Sequence, residues 1–251
     1  MNPLVESIRK NYETVQEKIY RAAQSAGRKP DSIKIVVVSK LQPVEVIQAA
    51  VEAGIRLFGE NYPEEGARKI EELKRPGGVE WHMIGHIQSR KVPIVVQNYH
   101  YIHSLDSWRL ASKLEQKLEL VKTKLPVLLE MNVSGEESKQ GFPAWNQEVL
   151  EGCLEEIQQI TTLPNLRMMG LMTMPPYFEA AEQSRPYFKR LVEVRDFLSG
   201  CFPALKLEEL SMGTTQDYEI AVEEGATFVR IGQAILGERP KKLVNLQSSR
   251  E

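Results

Sequence analysis

The sequence predicts an α/β fold, a single (β/α)8 TIM barrel with an extra helix at its N-terminus. Three observations predict it. Eight short apolar or β-branched runs alternate with amphipathic helical stretches, with no break in composition between them. Polar residues and glycines follow the apolar run at nearly every strand end, as the carboxyl-terminal face of a barrel requires. The length of 251 residues suits one such barrel.

Leu4, Ile8, Tyr12, Val15, Ile19 and Ala22 form one stripe of a leading helix over Leu4–Ala26, with charged residues opposite. Gly27–Ser32 carries Gly, Pro and Asp and reads as the turn into the first strand, Ile33–Lys40. That run is dense in Val and Ile, the composition of a strand buried on both faces. A helix finishes at Gln48–Ala53, and Ile55–Gly59 is the second strand. Pro63–Leu73 is a charged helix opened by a proline, where proline is tolerated.

After the turn at Arg75–Gly78, Glu80–Ile84 is the third strand and Ser89–Val96 a helix. Tyr99–His103 is the fourth strand, and Asp106–Leu120 a helix with an acidic cap. The fifth strand, Pro126–Val133, leads through a polar loop to a helix over Asn146–Ile160. The sixth strand is Leu166–Met174, followed by a long helix over Ala180–Leu198. The seventh is Leu207–Leu210 with a helix at Asp217–Glu224, and the eighth is Ala226–Ile231. Gly237–Glu251 reads as a short helix or a frayed tail. No repeat or linker interrupts residues 1–251, so they are expected to form one domain.

A formal net charge of −2 gives no long-range attraction to nucleic acid or to an anionic membrane, and neither partner is expected. The first ten residues carry charges where a signal peptide needs an apolar core, and no stretch approaches membrane-spanning length. The expected location is the cytoplasm. Cys153 and Cys201 lack the paired spacing of a redox or metal motif and read as packing residues.

The strand ends collect Lys40, Glu60, Asn61, His82, Gly85, His103, Asn132, Thr173, Ser211, Met212, Gly213, Arg230 and Gly232. Lys40 has two readings. Its stem can carry the charge out to water, or the apolar strand can desolvate the amine and leave it free to attack a carbonyl. Ser211–Thr215 and Arg230–Gln233 each place a glycine between strand and helix, where backbone N–H groups can face a phosphate. Glycine needed only for turn geometry is the alternative, although barrels recurrently hold phosphate after the seventh and eighth strands. His82 and His86 have a spacing that binds zinc on a helix, but they lie on a strand and its turn, and no metal site is expected. A lysine on the first strand and a phosphate cradle after the last two suggest pyridoxal 5'-phosphate.

Seven motifs then resemble the pyridoxal-phosphate homeostasis protein family, whose fold is similar to the barrel domain of bacterial alanine racemase. They are Val36–Lys40, Phe58–Tyr62, Trp81–Lys91, Met131–Phe142, Met169–Pro176, Ser211–Asp217 and Val229–Gly232, and they follow the family's order over most of the chain. The resemblance implies that Lys40 holds pyridoxal 5'-phosphate as a covalent aldimine. It sets Thr215, Gly232 and Gln233 around the phosphate and Arg230 against the pyridine nitrogen, with Asn61, His82 and Met212 lining the ring. The chain departs from the usual pattern at Pro63, Glu64, Arg90 and Thr214.

A guanidinium at the ring nitrogen donates hydrogen bonds and cannot keep that nitrogen protonated, so it makes a weak electron sink. Alanine racemase also uses a second base from a further domain, and this chain runs on only briefly after its eighth strand. The expected role is a carrier that buffers the cofactor or delivers it to apo-enzymes, without catalytic residues and as a monomer or weak dimer. The alternative is a small racemase or other Schiff-base enzyme, with Tyr62 or Tyr177 as acid or base. Lys139, in a loop, is a further lysine that can receive the cofactor transiently.

Overall fold

A computed structural model of the chain describes residues 2–75 and 77–240. Eight parallel strands close into a barrel: β1 (Lys34–Val38), β2 (Leu57–Glu60), β3 (Glu80–Met83), β4 (Tyr101–Leu105), β5 (Leu125–Asn132), then β7 (Leu166–Met172), β8 (Glu209–Thr214) and β9 (Phe228–Ile231). β1 pairs with both β2 and β9, and a β4–β5 pairing closes the ring. A two-residue strand, β6 (Phe142–Pro143), adds to the upper end of β5.

The helices surround this sheet: α1 (Pro3–Ser25), α2 (Val44–Glu52), α3 (Pro63–Glu72), α4 (Val92–Asn98), α5 (Trp108–Val121), α6 (Gln147–Glu151), α7 (Leu154–Thr161), α8 (Arg185–Cys201), α9 (Tyr218–Glu223) and α10 (Gln233–Leu236). The leading helix α1 starts on an Asn2 cap that accepts from the Leu4 N–H at 3.0 Å, with Pro3 in the first turn. It buries Val5, Ile8, Val15 and Ile19 and packs on α2, α9 and α10. The Asn11 amide donates to the Ile235 carbonyl at 3.1 Å, tying the first helix to the last.

Alternation along the strands makes two cores. Phe58, Trp81, Ile102, Leu129, Leu171 and Ile231 lie in the larger core with the buried faces of the helices. Val36, Tyr101, Leu128, Met172 and Phe228 form a separate group inside the barrel. His82 and His103 share that interior, each with its ring centroid within 6 Å of those of Tyr101 and Phe228. At the lower end of the barrel, the amine of Lys34 sits 4.5 Å from the centroid of the Phe228 ring and 2.5 Å from Glu209 Oε1.

Several boundaries differ from the sequence reading. β1 stops at Val38, so Lys40 belongs to the turn beyond it. β4 starts two residues late, because the Tyr99 N–H still donates to the Val95 carbonyl at 2.9 Å as the cap of α4; β4 runs on to Leu105, so His103 sits within its strand. Ser211–Thr214 is strand, with an irregular register against β9, and not the loop expected. The helix expected over Asn146–Ile160 breaks into α6 and α7 at Gly152 and Cys153. Of the expected tail, residues 241–251 lie outside the described residues. No described helix is long and apolar enough to cross a membrane.

Candidate functional site

The barrel mouth is built by strand alternation. Val36 points inward and Val37 outward, so continuing β1 carries Val38 and then Lys40 to the inner side of the carboxyl end. Lys40 is half-buried and lies in a tight turn in which the Gln42 N–H donates to the Ser39 carbonyl at 3.1 Å. In the neighbouring strand Phe228 points inward, which places Arg230 on the inner side two residues higher.

Arg230 is 3% exposed and donates to Ser211 Oγ at 2.5 Å, to the Thr173 carbonyl at 2.8 Å and to the Met174 sulfur at 2.8 Å. Burial lowers its pKa to about 10, opposed by Asp217 and Glu130, so it remains charged at neutral pH. Because a guanidinium only donates, the Ser211 hydroxyl accepts from Arg230, and the same oxygen lies 2.8 Å from His103 Nδ1. His103 Nε2 lies 2.9 Å from His82 Nδ1, and His82 Nε2 lies 3.7 Å from Glu80 Oε2 at the lower end of the barrel. A chain of polar contacts thus runs from Arg230 down the interior. Burial pushes the pKa of both histidines down, and both are neutral.

The two glycine segments flank Arg230. Gly213 has φ +88°, and a Cβ there would lie 2.5 Å from the Ala221 Cβ, so only glycine fits between β8 and α9. Gly232 is buried, and a Cβ would press on the Val38 carbonyl at 3.2 Å, so β9 and β1 run close together beneath the mouth. Among the described residues, the N–H groups of Thr215, Gln216, Gln233 and Ala234 have no acceptor. Thr215 is half-buried and Gln233 exposed. Four free N–H donors in the turns after β8 and β9, with a buried guanidinium on β9, suit a ligand that joins a dianionic phosphate to a neutral ring nitrogen, the donor set pyridoxal 5'-phosphate needs. Thr214, where the family pattern differs, receives a cap: Asp217 Oδ1 accepts from its N–H at 2.7 Å.

The structure brings Lys40, Arg230 and Gly232 to adjacent strands at one end. Asn61 follows β2, and Gly85 allows the next loop to lie against it, since a Cβ there would fall 2.5 Å from the Asn61 carbonyl. His82 lies deeper than the mouth, one step of the histidine chain below His103. Met212 is fully buried in the helix-facing core, so it presents backbone and not side chain to the interior. His86 turns away to Asp106 Oδ2 at 2.8 Å, and Tyr177 is exposed, its hydroxyl accepting from the Gln216 amide at 2.9 Å. Lys139 borders a cleft of about 760 Å³ beside the mouth, with Arg90, Arg109 and Lys113.

Sequence reasoning missed two groups. Glu130 alternates with inward Leu128, and burial together with nearby Asp106 raises its pKa to about 7, against the pull of Arg230 and Lys139. Its position in an apolar run is the signal that was available. The second group is Glu65 and Lys69, which join the strand-end Glu60 behind the Lys40 turn. Lys69 Nζ lies 2.7 Å from Glu60 Oε1 and 2.6 Å from Glu65 Oε1. Lys69 read as one charge in a charged helix, and its burial at 1% exposure is visible only once α3 packs on β2.

The family model for the alanine racemase N-terminal domain matches residues 5–240. The pyridoxal phosphate homeostasis protein of Aquifex aeolicus is 42% identical over 226 residues, covering 90% of this chain and 95% of that protein. A structure of an unknown protein from Bifidobacterium adolescentis superposes with TM-score 0.83 at 32% identity, covering 94% of this chain and 96% of that one. PipY of Synechococcus elongatus PCC7942, solved with pyridoxal phosphate bound, superposes with TM-score 0.76 at 30% identity, covering 88% of this chain and all 100% of that one. With similarity of this extent spanning the barrel from α1 to α10, the chain belongs to the pyridoxal phosphate homeostasis protein family.

Proposed function

We propose that this protein binds pyridoxal 5'-phosphate at the carboxyl-terminal mouth of its barrel, as a covalent aldimine on Lys40, and buffers or delivers it. The observation that carries the reading is Arg230: a buried, donor-only cation on the inner side of β9, fixed from behind by Ser211 and Thr173 and next to β1, which leads into the Lys40 turn. The names of the relatives and the bound cofactor of PipY support the same ligand.

Each residue has a defined task. Lys40 supplies the amine. Arg230 donates to the ring nitrogen and, being a donor only, leaves it unprotonated. Thr215, Gly232 and Gln233 receive the phosphate through backbone N–H groups and the Thr215 hydroxyl. Asn61 borders the ring, while His82 and Met212 act from behind it, through the Arg230 chain and through backbone. The cofactor brings an electron sink, and the arginine keeps that sink weak. Binding and release, not turnover, fit such a site, with apo-enzymes as recipients of the cofactor and the cytoplasm as its place of work.

The test is a visible spectrum. Purified protein mixed with the cofactor develops a yellow imine band, which Lys40→Ala abolishes. A colourless mixture refutes the reading. Steady turnover of a free amino acid, lost in Lys40→Ala, would replace the carrier with a racemase or related enzyme.

A further inference from the structure

The Lys40 turn is clamped on both sides by one buried ionic cluster. On the near side, the Ser39 carbonyl accepts from Lys69 Nζ at 2.6 Å, and the Ser39 hydroxyl donates to Glu60 Oε1 at 2.7 Å. On the far side, the Leu41 N–H donates to Glu65 Oε1 at 2.7 Å. Lys69 Nζ also donates to Glu60 Oε1 and Glu65 Oε1, so its three protons go to the two carboxylates and to the residue before Lys40. Both Lys69 and Glu60 are essentially inaccessible to water.

The turn needs such a clamp. Leu41 has φ +61°, in the left-handed region that a branched side chain rarely adopts and that this turn position ordinarily gives to glycine. α3 can come close enough because it has Gly66, where a Cβ would collide with the Tyr99 hydroxyl, whose donation to the Pro63 carbonyl anchors the start of the helix. A buried ion cluster is seldom the most stable way to fill a core, since apolar residues of equal volume commonly do as well or better. Here its bonds go to the peptide groups on either side of one lysine.

We propose that Lys69, Glu65 and Glu60 are positioning residues for Lys40, holding the Ser39–Gln42 turn in the conformation that sends its amine along the barrel interior to a ligand aldehyde. The inference rests on the function proposed above. In the step concerned, the Lys40 nitrogen bonds to the aldehyde carbon, the C=O bond becomes C=N, and the oxygen leaves as water. No further reactant is needed.

Two ligands separate positioning from general damage: pyridoxal 5'-phosphate, and pyridoxine 5'-phosphate, an alcohol that cannot form the imine. In Glu65→Ala the imine band forms about 10-fold more slowly than in wild type, the scale on which a misplaced reacting group loses rate. Affinity for pyridoxine 5'-phosphate stays within about two-fold, because the phosphate and ring contacts are untouched. Glu65→Gln, which keeps an oxygen for the Leu41 N–H, recovers the rate to within about three-fold of wild type. Lys69→Met, read in the same way, gives the same split and decides the matter if Glu65→Ala does not fold. Formation at the wild-type rate in either folded variant overturns the proposal, as does a parallel loss of pyridoxine 5'-phosphate binding. If wild type itself forms no imine at Lys40, the proposed function has failed, a result distinct from a variant that matches a competent wild type.

Discussion

Arg230 donates to Ser211, and the contact continues through His103 to His82. Burial lowers the pKa of both histidines, so nitrogen-15 NMR should find His82 and His103 as neutral imidazoles at pH 7–8; an imidazolium signal from either would contradict it. Ser211→Ala removes the acceptor of Arg230 and the partner of His103, leaving buried polar atoms unpaired, and should cost about 1–3 kcal/mol in denaturant unfolding. Glu130 gives a pH signature. Its folded pKa, about 7, lies above its unfolded value, so its proton is held more tightly in the folded state. Stability from this group is full below the unfolded pKa and is lost as pH rises through 7, by on the order of 3 kcal/mol. Glu130→Gln should flatten that part of the pH–stability curve of the cofactor-free protein. Lys40 and Arg230 were legible as strand-end residues, although Lys40 by itself also read as a stem reaching out to water and the task of Arg230 came from the family resemblance. Glu130 was not, because a single carboxylate inside Leu125–Asn132 reveals its side of the strand only when the register is known.

Among the elements, the strands that build the mouth are short, and their ends are fixed by contacts that local sequence does not encode. All eight barrel strands and the leading helix were readable from β-branched runs and a 3.6-residue stripe. The ends moved where a partner intervened. Tyr99 closes α4 with its N–H instead of opening β4, and Ser211–Thr214 became strand because β7 and β9 flank it. Lys69 shows the same limit in a helix: in a charged segment, the buried face is chosen by what lies across from it. Gly213 is the element-level test. Gly213→Ala adds a methyl against Ala221 at φ +88° and should destabilise by about 2 kcal/mol or more, with weakened binding of the phosphate ligand.

For the whole molecule, the barrel interior departs from the branched aliphatic filling usual in this fold. It holds Tyr101, His82, His103 and Phe228 as an aromatic and histidine plug above the Lys34–Glu209 pair. The two histidines are buried neutral, so folding loses stability as pH falls below their unfolded pKa, near 6.5, and acid unfolding monitored by circular dichroism should steepen there. His103→Phe should remove part of that slope while breaking the link between Ser211 and His82. The alternation of strands and helices made the barrel legible from the sequence, and seven motifs made the family legible. The histidine chain was not, because His82, His103, Ser211 and Arg230 come from four strands, and only closure of the sheet puts them in sequence.

Lys40 as the residue that carries the cofactor is the central claim, and it is tested most directly by borohydride reduction of the loaded protein followed by peptide mapping. A single reduced adduct is expected, on the peptide containing Lys40. An adduct confined to Lys139 or another lysine, or none at all, would contradict it.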